Sequence, residues 1–200
     1  MADQYNLPAP RLESSRSLER TLLHRRSVRE FSATALSLEA AGQLLWAAQG
    51  ITAEERLRTA PSAGALYPLE VYLVAGRVDG LAPGVYRYDP DEHRLLGRLS
   101  GDLRARLGRA ALGQAWVGDA PALIVIGAVP ERTIWKYGER GERYVFIEAG
   151  HAGQNVLLQA VALDLGATVV GAFDDRALRS LLAMPSDEIP CTLIPVGHPR

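Results

Sequence analysis

Arg25, Arg26 and Arg29 set three guanidiniums and the Ser27 hydroxyl within five residues. That spacing suits a phosphate monoester gripped by bidentate, charge-assisted hydrogen bonds. The same residues also describe a solvated basic face with scattered surface ion pairs, because charged side chains are ordinarily exposed. Residues 61–68 read Pro-Ser-Ala-Gly-Ala-Leu-Tyr-Pro, and Pro61, Ser62, Ala63 and Gly64 are small enough for backbone groups to approach a flat ring closely. An ordinary tight loop would use the same residues. Lys136 stands beside Tyr137 in the run Trp135-Lys136-Tyr137-Gly138-Glu139-Arg140. A desolvated lysine can act as a general base near neutral pH, and a tyrosine can donate or orient. The alternative is a lysine that snorkels to the surface between packed aromatics. Lys136 is the only lysine among 22 basic residues, the others all being arginine. A lysine kept against that background points to a need for a compact ammonium or a transferable proton, with chance survival as the other explanation.

These residues need elements to hold them. Residues 1–16 are polar, with little periodicity, and read as an arm ordered only if it packs on something. Leu18, Thr21, Leu22 and Arg25 fit a short amphipathic helix, and Ser37 is placed to cap a second helix that stops at Gly50. A loop over 51–65 leads to a strand over 66–75. A hairpin follows, with strands at 84–88 and 93–99 around the turn Asp89-Pro90-Asp91-Glu92. Residues 102–112 read as helix, and the apolar run 122–128 as a central strand buried on both faces. Residues 129–141 read as a loop, and 142–165 as a long helix that is apolar nearly all round. A strand at 167–170, a helix from Asp174 or Asp175 to Leu182 and a closing strand at 191–196 complete the order. The class is α+β with a mainly antiparallel section, and no strand feeds a glycine-rich phosphate loop, so a Rossmann or P-loop reading fails.

Composition narrows the function. The 200 residues, 48% of them hydrophobic, suit one domain able to bury a core unaided. A net charge of -1, with both signs spread along the chain, gives no case for a nucleic-acid or membrane-surface partner. Cys191 is the only cysteine, which excludes an internal disulfide or a cysteine cluster and fits a reducing, cytoplasmic setting. No leader-like or membrane-spanning run is apparent. His24, His93, His151 and His198 are too scattered for a metal site, and His151 reads as a core or interface residue.

Taken in order, Arg-Arg-Ser-x-Arg, Pro-Ser-Ala-Gly-Ala-Leu-Tyr-Pro, Trp-Lys-Tyr-Gly-x-Arg, Ala149-Gly150-His151-x-x-Gln154-Asn155 and Val170-Gly171 resemble the SagB-type dehydrogenases of the nitroreductase family, over residues 22–198. Ordinary nitroreductases tend to carry Asn and Gln where this chain has Ala65 and Tyr67, and Glu where it has Val170; these departures point to the SagB side. The resemblance implies a nitroreductase-like fold, a mainly antiparallel sheet sandwiched by helices, in an intertwined homodimer with two FMN molecules between the subunits. It implies an arm at 1–16 and a single FMN-binding domain over 17–200. Arg25, Arg26, Ser27 and Arg29 would grip the FMN phosphate and ribityl chain, joined by Arg200. Pro61, Ser62, Ala63 and Gly64 would line the ring from the other subunit, and Val170 and Gly171 would lie by its reactive edge. Some members of the branch oxidise azoline rings in modified peptides with a Lys-Tyr pair that matches Lys136 and Tyr137. The expected activity is therefore FMN-dependent ping-pong redox chemistry on a small molecule or azoline-like ring. The alternatives are an NAD(P)H-dependent nitro or quinone reductase, which needs no side-chain base, and a flavin-binding carrier or sensor.

Overall fold

The computed structural model describes residues 3–200. Strands β1 (Gln4–Asn6), β2 (Leu69–Ala75), β3 (Gly84–Asp89), β4 (Arg94–Ser100), β5 (Ala122–Ala128), β6 (Gly166–Ala167) and β7 (Ile189–Gly197) form one sheet in the order β1-β4-β3-β2-β5-β7-β6. Every neighbouring pair is antiparallel. The helices are α1 (Leu18–His24), α2 (Leu38–Gln49), α3 (Arg104–Ala110), α4 (Ala115–Asp119), α5 (Glu131–Tyr137), α6 (Arg140–Ala162) and α7 (Asp175–Leu182).

Strand periodicity divides the core into two layers. Val71, Leu73, Ile124, Ile126 and Ile194 pack with Leu44 and Leu45 of α2 and Val145, Ala152 and Val156 of α6. Tyr72, Val74, Leu123, Val125 and Leu193 face the other way, onto Leu107 of α3, Val117 of α4 and Leu178 and Leu182 of α7. Helices therefore cover both faces of the sheet, and β2 and β5 are buried at every residue.

Local chemistry explains most of the boundaries. The Ser37 side chain accepts from Ala40 N–H at the start of α2, and Gly50 ends that helix. Asp174 caps α7 through Ala177 N–H. The expected arm does find something to pack on: β1 pairs with β4, Leu7 is buried, and the first two residues lie outside the described range.

Several boundaries differ from the sequence reading, and α4 was not expected at all. Residues 131–137 are helix, not loop, because Thr133 is buried and Gly141 backs onto the Ile134 backbone, so α5 is held by packing on α6 that a polar seven-residue run does not advertise. The first core strand starts at Leu69, since Tyr67 takes a φ of 48° that no strand accommodates. The long helix starts at Arg140 and stops at Ala162, with Asp164 left-handed just beyond. One flank of it is exposed, at Glu142, Arg143, Phe146, Ile147, Gly150, His151 and Gln154, so within one chain it is not a spine buried all round. The strand expected over 167–170 reduces to β6 plus a single bridge from Val170 to Leu193.

Candidate flavin site

The loop after α2 meets the end of α5 at one glycine. Gly64 sits in a single 3-10 turn, Ala63–Ala65, with φ of 63°. A Cβ on Gly64 would lie 2.8 Å from Tyr137 Oη and 2.9 Å from Lys136 Nζ. The bare Cα is therefore what lets the loop come down on both side chains. Ala65 and Tyr67 are left-handed as well, so a short stretch concentrates conformations that non-glycine residues seldom adopt. Side chains hold it there. Ser62 Oγ accepts from Tyr67 N–H at 2.9 Å, the Arg132 guanidinium donates to Tyr67 O at 3.2 Å, and the Arg58 guanidinium lies 4.6 Å above the Tyr67 ring. Tyr137 in turn meets Tyr144 of α6 edge-on at 5.1 Å.

Lys136 is exposed and Tyr137 half-buried. The desolvation expected to make Lys136 a base is therefore not supplied by its own chain, because the side chain sits near the helix end on an open face.

The arginine cluster is placed by α1 and β6. Arg25 follows the last turn of α1, Ser27 bridges Ala167, and Val28 N–H donates to Ala167 O at 3.1 Å while its side chain fills the space left open by Gly166. Among the described residues, Arg25, Arg26 and Arg29 have no carboxylate partner within ion-pair distance. Arg26 donates only to Leu23 O and Arg25 O, and Arg29 lies 5.5 Å from the Trp116 ring centroid. The chain end returns alongside, with Ser32 N–H donating to His198 O and Arg200 N–H to Glu30 O. Arg29, Arg77 and Arg200 then line one hollow of about 460 Å³ with Trp116.

Val170 does not present itself to a ligand. Its side chain is buried in the second core layer, and its N–H and C=O exchange hydrogen bonds with Leu193. Gly171 is exposed, with open space where a Cβ would stand. The structure thus joins Pro61, Ser62, Ala63 and Gly64 to Lys136 and Tyr137, and joins Arg29 to Arg200. No hydrogen bond or ion pair connects these two groups among the described residues, and His151 is exposed on α6, which removes its core reading.

Three residues escape the sequence reading. Glu148 is 2% exposed on the buried flank of α6, its carboxyl pushed up to about 7 by burial against the opposing pull of Ser62 and Arg58. Its signal is positional: it shares a helical stripe with Val145, Ala149 and Ala152, where an acid is out of place. Arg58 and Arg132 carry no such signal, being ordinary arginines whose roles depend on where Tyr67 is folded.

The nitroreductase family model matches residues 22–198. A protein of Methanocaldococcus jannaschii that carries the nitroreductase name is 43% identical over 99% of this chain and 98% of its own length. The trifolitoxin operon protein TfxC of Rhizobium leguminosarum is 27% identical over 88% of this chain and 54% of its own. The crystal structure of a nitroreductase-type protein from Ralstonia eutropha superposes with a TM-score of 0.87 at 32% identity, over 98% of this chain and 90% of that one.

Proposed function

We propose, for a chain that belongs to the nitroreductase family, an FMN-dependent oxidoreductase of the SagB-type dehydrogenase kind, working as a homodimer. The observation that carries this reading is the meeting of Gly64 with Lys136 Nζ and Tyr137 Oη, which puts a ring-lining loop and a proton-handling pair at one place. The arginine cluster supports it. Guanidiniums without carboxylate partners, on a segment tied to the sheet edge, fit a phosphate monoester. Arg25, Arg26, Ser27 and Arg29, with Arg200 across the hollow, would hold that phosphate, Pro61, Ser62, Ala63 and Gly64 would line the ring, and Gly171 rather than the Val170 side chain would approach its edge. The domain spans residues 17–200, the arm before it adds β1 to the sheet edge, and a reducing cytoplasm would keep Cys191 a free thiol.

FMN, when bound, supplies the two-electron chemistry. The chain's own part is binding, orientation and the movement of a proton. Lys136 Nζ would take a proton from substrate, and Tyr137 Oη would orient or relay it. Exposed apolar residues, Leu18, Leu22 and Leu23 of α1, Trp135 of α5 next to Lys136, and Phe146 and Ile147 of α6, favour a second subunit covering this side of the molecule. That covering would dry the surroundings of Lys136.

The test is an absorbance spectrum of the purified protein with identification of released flavin, followed by Lys136→Arg. FMN near one per chain is expected. With a turnover substrate in hand, Lys136→Arg should lose on the order of 10²-fold in rate with FMN binding intact. Unchanged turnover removes the base role. A colourless protein that takes up no FMN removes the whole reading. The name carried by the 43% identical relative favours an NAD(P)H-dependent nitro or quinone reductase as a second reading. Rapid bleaching of the flavin by NADH or NADPH in stopped flow would select it. Tightly bound FMN that neither nicotinamide nor substrate reduces would indicate a carrier.

A further inference from the structure

We propose that Arg132 is a positioning residue: anchored on Glu70, its guanidinium ties α5 to the end of the ring-lining loop and so sets where Lys136 and Tyr137 stand. What that position serves rests on the FMN reading above. α5 has little of its own to hold it, since seven residues give about two turns and no side chain caps its start. Its far end is fixed where Gly141 backs onto Ile134. Its near end is fixed to the loop.

Val129 N–H, just before the helix, donates to Pro68 O at 2.8 Å. Arg132 then uses both arms of its guanidinium, Nη1 donating to Tyr67 O at 3.2 Å and Nη2 to Glu70 Oε1 at 2.7 Å. One side chain thus joins α5, the loop end and the start of β2. Arg132 and Lys136 stand four residues apart, which puts them on one face of the helix.

Glu70 makes the anchor firm. It is the one charged residue in a strand buried at every position, and its second oxygen accepts from Arg87 Nε at 2.8 Å. With a guanidinium on each oxygen, the carboxylate is held against turning toward either one. Arg58, Arg87, Arg132 and Glu70 line a hollow of about 280 Å³, so these charge-assisted bonds, rather than tight packing, place the Arg132 head. The Arg132 side chain is 42% exposed, and an ion pair that open to solvent adds little to global stability. Its effect is local. Without it the Tyr67 carbonyl is released from α5, the left-handed stretch Gly64, Ala65 and Tyr67 loses a restraint, and the helix face carrying Lys136 is free to turn away from Gly64.

The experiment follows amide hydrogen exchange, without added flavin, at Gly138, which donates to Ile134 O at the end of α5, and at Tyr67, which donates to Ser62 Oγ. Exchange in β5 measures global opening. Arg132→Gln and Glu70→Gln should each lower protection at both amides about tenfold while β5 changes less. Arg87→Met, which removes the other guanidinium from Glu70, should lower Gly138 and Tyr67 no more than it lowers β5. Arg132→Lys keeps the charge and loses the fork, and should fall between wild type and Arg132→Gln. With FMN added, Arg132→Gln should shift the bound flavin's visible band toward that of free FMN, while affinity by fluorescence titration stays within about threefold because the phosphate grip lies elsewhere. Protection at Gly138 and Tyr67 that falls only in step with β5 overturns the proposal, as does wild-type protection in Arg132→Lys or an equal local loss in Arg87→Met. An unmoved band in FMN-loaded Arg132→Gln overturns its bearing on the ring. Should Arg132→Gln not fold, Arg132→Lys and Arg87→Met decide. If wild type binds no FMN, the flavin reading fails, and exchange alone decides the role of Arg132.

Discussion

Gly64 shows how much one missing side chain can decide. Gly64→Ala would combine an unfavourable positive φ with a collision against Tyr137 Oη and Lys136 Nζ, costing ~1–2 kcal/mol of stability and about tenfold in FMN affinity by flavin titration. A second buried acid, remote from this loop in its contacts, gives a different prediction. Glu188 is 2% exposed, accepts from Tyr72 Oη at 2.8 Å, and sets Oε1 over Gly127, where a Cβ would push it aside. Burial raises its carboxyl to about 7. A raised acid binds more protons in the folded state, so its contribution is complete at low pH and is lost as pH rises from the ordinary carboxylate range through about 7. Thermal melts of wild type should therefore decline across that window, by ~2–3 kcal/mol from this group, and Glu188→Gln should flatten the decline. A wild-type melt that rises across it would contradict the assignment.

At the level of elements, the join between α5 and α6 is the most exacting. Gly141 lies so close to Ile134 that a Cβ would stand 2.7 Å from its Cα. Gly141→Ala should cost ~1–3 kcal/mol in chemical denaturation, and because α5 carries Lys136 it should lower activity beyond the loss of stability. The same join explains what the sequence could and could not disclose. α2 was legible because Ser37, a periodic apolar face and Gly50 all agree, and β5 because seven apolar residues follow a proline. α5 was not, because seven residues are too few for periodicity to speak and its stability comes from packing on α6. The arginine cluster and the 61–64 loop were legible as candidates from residue type, but their companions Arg58, Arg132 and Glu148 become meaningful only once the chain turns at Tyr67. Nothing local in the sequence shows that the Val170 side chain turns inward, into the core layer that holds Leu193.

For the whole molecule, the exposed apolar face is the feature that most needs a partner. Leu18, Leu22 and Leu23 are 52–62% exposed, and Phe146 and Ile147 each 48%. α1 packs on α6, with Leu18 beside Asn155, Leu158 and Ala162, so the exposed leucines lie further toward the C-terminal end of that helix than Phe146 and Ile147. Ile147→Glu, which touches neither the arginine cluster nor the loop, should convert a dimer to monomer in light scattering and carry FMN binding away with it. A variant that stays dimeric and yellow would place the subunit contact elsewhere. No helix among the described residues is long and apolar enough to cross a membrane.

The bridge from Ser27 to Ala167 has a consequence in time as well as space. The guanidiniums of Arg25, Arg26 and Arg29 leave the ribosome well before the strand edge that orients them and before Arg200. A nascent chain can display the charges without the grip. Contacts between such distant residues form slowly in folding, so cofactor capture would follow the closing of this edge rather than guide it, and the gain of colour would mark a closed site.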